Sequence, residues 1–115
     1  MTHISFNKGI FLSDTFLTMT DGAIALYLLL LVLADREGLC DRELALKIGD
    51  HTNAEIRELT ANGYIIEIEN VIAIRHWYYH CMTARRAKKS TAFLKARDAL
   101  IVRNWLYEMK PITKD

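Results

Sequence analysis

Cysteine, proline and glycine are scarce in this chain, and each scarcity excludes something. Two cysteines, Cys40 and Cys81, are too few for a disulfide framework. They suit a reducing cytoplasm, where a free thiol serves as a small apolar filler. The single proline is Pro111 and the five glycines stop at Gly63, so nothing between Cys81 and Lys110 interrupts a helix. The longest apolar run, Ala23 to Ala34, has twelve residues, too short to span a bilayer. The start, MTHISFNKG, lacks a basic region followed by an apolar one, so no secretory signal is expected. There is no glycine-rich phosphate loop, no G-x-S-x-G and no Cys/His pair with an orienting acid; neither catalysis nor a cofactor is expected. His76, His80 and Cys81 lack the spacing and the further ligands of a zinc site, so no metal is expected either.

What is present fits one globular domain: 115 residues, half apolar and a quarter charged. The net charge of +1 hides an asymmetry. Residues 1–80 carry six basic side chains against eleven acidic ones, and residues 81–115 carry nine against three. A −5/+6 split of this kind suggests a charged partner, nucleic acid first, or a tail that neutralises the acidic half of its own or a second subunit.

Along the chain, residues 4–12 have some strand character. Ser13-Asp14 caps a short turn with Phe16, Leu17 and Met19, and Thr20-Asp21 opens a helix over 21–35 that is apolar nearly all round and belongs at the centre of the core. Asp35-Arg36-Glu37-Gly38 ends it, Leu39-Cys40 is a small strand, and Asp41 caps a helix from Arg42 to Ile48. In that helix Leu44 and Ile48 share a face and Leu46 lies off it. A second short helix, Asn53 to Asn62, follows a tight turn and ends at Gly63. The period then becomes two: Tyr64, Ile66 and Ile68 alternate with Ile65, Glu67 and Glu69, and after Asn70 a second strand runs from Val71 to Trp77. A helix feeding a tight hairpin is the second half of a winged helix. The expected fold is mostly α with a small β-hairpin (α+β): a winged helix-turn-helix over 1–80, then a basic, amphipathic C-terminal helix over 81–115, in the same domain or as a dimerisation arm.

Three stretches resemble the N-terminal winged-helix domain of phage replisome-organiser (replication-initiation) proteins, a group similar to bacterial DnaD-like primosome proteins. They are Ser13-Asp14-Thr15-Phe16-Leu17-Thr18-Met19 with Ala25-Leu26-Tyr27, then Ala34-Asp35-Arg36-Glu37-Gly38, then Val71 to Trp77 with His80. The resemblance implies a DNA-binding protein of replication initiation in the cytoplasm of a bacterial host, with replication proteins such as a helicase or helicase loader as partners. Its wing turn, Glu67-Ile68-Glu69-Asn70, is acidic here, and Cys81-Met82-Thr83-Ala84 replaces the family's basic, proline-containing continuation.

Candidate DNA contacts fall in two places. The second short helix offers Asn53 and Arg57, whose chemistry suits adenine and guanine, and Thr60 beside them; Glu55 and Glu58 on the same helix repel phosphate. The cluster Arg85, Arg86, Lys88, Lys89, Lys95 and Arg97 holds six cations in thirteen residues, a strip that faces either phosphate or plain solvent. Trp77, Tyr78 and Tyr79 supply faces for stacking or for packing. Leu94, Ile101, Trp105 and Met109 would draw an apolar stripe along the C-terminal helix, folded back on the domain or paired with a second copy as a homo-oligomer. A protein-interaction or oligomerisation module, or a small phage regulator, without direct DNA binding is the alternative.

Overall fold

Side-chain caps set most of the helix starts in the computed structural model, which describes residues 7–80 and 90–111. Ser13, Thr20, Asp41 and Ser90 each accept a backbone N–H three residues on. They open α2 (Asp14–Leu17), α3 (Asp21–Leu33), α4 (Arg42–Gly49) and α6 (Thr91–Asp98). Asn7 does the same for α1 (Lys8–Phe11), so the described end of the stretch with strand character is a helical turn instead. α5 (Asn53–Ala61) starts after Thr52, which makes no side-chain cap bond.

The strands β1 (Leu39–Asp41), β2 (Ile65–Ile68) and β3 (Val71–Ile74) form an antiparallel sheet in the order β1-β3-β2. Leu39 pairs with Ala73, and Ile65 with Ile74. The two-residue turn Glu69-Asn70 needs a positive φ, taken up by Glu69 at 54°. β3 is buried at all four positions, as an apolar run without alternation requires, and α6 packs against it. A 3-10 turn, Trp77–Tyr79, follows.

The long C-terminal helix is the main correction. α6 has eight residues and gives way to a hairpin, β4 (Leu100–Arg103) and β5 (Leu106–Met109), which forms a second small sheet. Its turn, Asn104-Trp105, places both residues in the left-handed region, at φ 54° and 68°. Leu100 and Tyr107 enter the same core as α3 and β3. The amide of Tyr107 donates to the carbonyl of Arg75 at 3.0 Å, which ties the hairpin to the chain just beyond β3. The stripe Leu94, Ile101, Trp105 and Met109 therefore lies on a helix, two strands and a turn, not on one helix face.

α3 buries Ala23, Leu26, Tyr27, Leu30 and Leu31. Each buried Leu is worth about 1.5–3 kcal/mol over an exposed one. Its opposite side leaves Leu28 and Val32 exposed. On α4 the core side chain is Ala45, with Leu46 half-buried, and the Leu44/Ile48 face is exposed.

The turn after α3 is where the C-terminal unit docks. Asp35 Oδ1 accepts the amides of Glu37 and Leu39 at 2.9 and 3.0 Å, and its Oδ2 meets Arg97 Nη2 at 2.5 Å. The Tyr107 hydroxyl donates to the Glu37 carbonyl at 2.6 Å. Trp77, 1% exposed, lies over Gly38 and donates its indole N–H to the Arg36 carbonyl at 3.0 Å.

Candidate nucleic-acid interface

α5 and the β2–β3 hairpin bound a cleft of about 780 Å³ whose lining includes Arg57, Thr60, Ala61, Ile66, Glu67 and Arg75. Arg57 stands exposed on α5 and makes no ion pair among the described residues. Arg75, just past β3, lies with one guanidinium nitrogen 3.5 Å from the Gly63 carbonyl. Sequence reasoning singled out Arg57 and missed Arg75; the signal was a cation ending an otherwise apolar strand, with the cleft on the flank of that strand.

The acids that counted against this surface have partners within the protein but keep their charge. Glu58 takes the backbone N–H and the hydroxyl of Thr20, both at 2.7 Å. Those two donors hold its carboxyl below the usual range and pin α5 to the start of α3. Glu55 bonds His51, and Glu67 lies 4.0 Å from Arg42. Asn53 is exposed, but its side-chain oxygen accepts from Arg42.

Of the six-cation cluster, Arg85, Arg86, Lys88 and Lys89 lie outside the described residues. Lys95 reaches Glu69 at the β2–β3 turn, at 3.0 Å, as an exposed pair of small energetic weight. Arg97 is held by Asp35. The two described members of the cluster thus point to different acids and do not form one strip. Among the apolar candidates Leu94, Trp105 and Met109 are exposed and Ile101 is half-buried. Of the aromatic trio, Trp77 is buried and Tyr78 is half-buried against Tyr107, which leaves Tyr79 exposed.

His80 is buried with both ring nitrogens occupied. Nδ1 accepts from the Asn7 amide at 2.8 Å, so Nε2 carries the proton and donates to the Tyr27 hydroxyl at 2.9 Å. Among the described residues no three His, Cys, Asp or Glu side chains converge. Cys40 is buried and its thiol donates to the Leu30 carbonyl, and Cys81 lies outside the described residues. No helix among the described residues is long and apolar enough to cross a membrane.

Burial, with His76 close by, holds the His80 imidazole down to about 4, and burial with Arg75 does the same for His76. The unfolded chain takes up both protons below its ordinary pKa of 6.5, whereas the folded chain refuses them until about pH 4. Stability is thus complete above pH 6.5, falls as the pH drops from there to 4, and levels off below for this cause. The expected loss is of order 2 kcal/mol after allowance for solvent screening. Urea midpoints at neutral pH and near pH 4 check it, and His80→Gln should flatten the slope.

No family model, curated protein or solved structure matches the chain.

Proposed function

We propose that the chain is a DNA-binding winged-helix module of the replisome-organiser type, serving replication initiation in a phage or prophage. The order α3, β1, α4, α5, β2, β3, with β3 central in the sheet, supports a winged-helix reading, with β2–β3 as the wing. The observation that carries DNA binding is the cleft beside α5, where two arginines, Arg57 and Arg75, face a single acid, Glu67. Arg85, Arg86, Lys88 and Lys89 add the phosphate-neutralising charge that supplies most non-specific affinity.

Reversing those four to glutamate is expected to weaken duplex binding by roughly 100-fold or more in low salt and to flatten its salt dependence. Electrophoretic shifts at two salt concentrations measure this. Unchanged affinity sinks the proposal.

A second reading, a protein-interaction or oligomerisation module contacting a helicase, a helicase loader or its own copies, is favoured by one observation. Leu28 and Val32 on α3, and Leu44 and Ile48 on α4, are exposed apolar side chains on helical i, i+4 spacing. Mass in solution for the charge-reversed protein separates the two: oligomers that persist without DNA binding assign the basic segment to DNA and leave assembly to another surface.

A further inference from the structure

Trp105 is the most exposed large apolar side chain of the described residues, at 67%, and it occupies a turn position where φ is 68°. Glycine is the usual occupant of such a position in a two-residue hairpin turn, and a bulky side chain there strains the backbone. Little packing compensates the strain, because the indole is mostly in water. A residue that is both strained and exposed points to a task outside the fold.

The residue that follows it, Leu106, lines a pocket of about 460 Å³ together with Asn7, Ser13, Tyr64, His76 and Tyr79. Tyr79, 40% exposed, links the pocket to the turn, since its hydroxyl donates to the Asn104 carbonyl at 3.2 Å. The His76 ring lies 5.3 Å from that of Tyr64 and 6.1 Å from that of Tyr79, so aromatic faces make up much of the wall.

The polar groups of the wall are partly unmet. Ser13 Oγ donates to the Ile10 carbonyl at 2.9 Å, so the Tyr64 hydroxyl, 3.2 Å away, donates to Ser13 and keeps an oxygen lone pair for an incoming donor. Asn7 Nδ2 donates one hydrogen to the Tyr79 carbonyl at 3.2 Å and has a second to offer. His76 Nδ1 is buried with no hydrogen-bond partner among the described residues. Among the described residues the lining contains no acid and no permanent cation. An uncharged pocket with aromatic walls and a few donor and acceptor atoms suits a planar heterocycle with polar edges better than a phosphate or an aliphatic side chain.

We propose that this pocket takes one unpaired nucleobase of a single strand, and that Trp105 stacks on a neighbouring base. The proposal rests on the nucleic-acid reading above and adds strandedness to it. Duplex DNA presents no free base face, so the pocket would act where strands are already separated, while the cleft beside α5 meets duplex.

The test titrates the full chain with end-labelled short oligothymidylate, oligouridylate and a duplex, following the anisotropy of the label in every variant and tryptophan fluorescence in the unaltered chain. Trp77 is buried, so quenching by a strand reports Trp105. Trp105→Gly and Tyr79→Leu are expected to weaken single-strand binding by at least about 10-fold each and to leave duplex binding unchanged. The glycine variant removes the strained backbone, so its melting temperature should rise, by roughly 4 °C, and misfolding will not explain lost binding. Binding of either strand with these losses supports the proposal, and the ratio of the two tells DNA from RNA. Undiminished strand affinity in both variants overturns it. So does loss of self-association in Trp105→Gly, by light scattering, with strand affinity intact, which assigns the turn to a protein partner. A chain that binds duplex but no single strand removes this proposal alone, and one that binds neither removes the reading beneath it as well.

Discussion

Gly38→Ala is expected to lower stability by about 3 kcal/mol. Two costs coincide there. The residue sits at φ +79°, a conformation that an L side chain adopts only with strain. The added Cβ would also stand 2.6 Å from Trp77 Cδ2 and closer still to Cγ. Neither partner has room to give. The Gly38 amide donates to the Asp35 carbonyl at 3.1 Å and its own carbonyl accepts from Ile74 at 2.9 Å, which fixes the backbone. Trp77 is enclosed, with its indole N–H held by Arg36. Urea unfolding measures the loss. A loss under 1 kcal/mol would mean that Trp77 shifts freely, against the close packing of the interior. Gly63, also at positive φ (+80°), makes the contrast: its added Cβ would meet only the far end of Arg75, at 3.6 Å, so Gly63→Ala should carry the conformational cost alone, about 1 kcal/mol.

The legible part of this fold is the part governed by neighbours in sequence. Ser13, Thr20 and Asp41 cap helices where their positions predict, because a cap needs only an oxygen three residues before a free amide. Gly63 and the alternation after it announce β2, and Asn70 marks the turn into β3. The C-terminal third was misread for a physical reason. With no glycine or proline from Cys81 to Lys110, a helix is the simplest reading, yet the hairpin turns through Asn104 and Trp105 at positive φ without glycine. The available signal was Leu-Ile-Val-Arg before Asn104 and Leu-Tyr after Trp105, a pair of short β-rich runs two residues apart. α3 shows the same limit in another form: an apolar stretch does not say which of its sides the rest of the chain will cover, and Leu28 and Val32 are exposed while Leu26 and Leu30 are buried. At the candidate interface, composition revealed the charges but not their partners. Glu58 meets Thr20 38 residues away and Arg97 meets Asp35 at a separation of 62, and no local pattern encodes either pairing.

Arg97 is where that limit has the greatest functional consequence, because its charge alone places it among the phosphate contacts. Its guanidinium lies 2.5 Å from a nearly buried carboxylate, and that carboxylate organises the turn over which Trp77 and Tyr107 close. Arg97→Ala is therefore expected to cost about 2–3 kcal/mol. Breaking a buried pair typically costs 3–5 kcal/mol, but Asp35 keeps two backbone donors here, so its charge is not left bare. Lysine at this position restores the charge without the planar fork and should recover only part of the loss. Thermal or urea unfolding checks both variants. The sharper readout is binding: at a temperature where Arg97→Ala remains folded, the dependence of duplex affinity on salt should match that of the unaltered chain. An arginine on phosphate would instead reduce the slope by about one unit. A stability loss without a change in slope makes Arg97 the strut that holds α6 and the second hairpin against the α3 turn. The proposed phosphate contacts would then rest with Arg57, Arg75 and the basic run from Arg85 to Lys89.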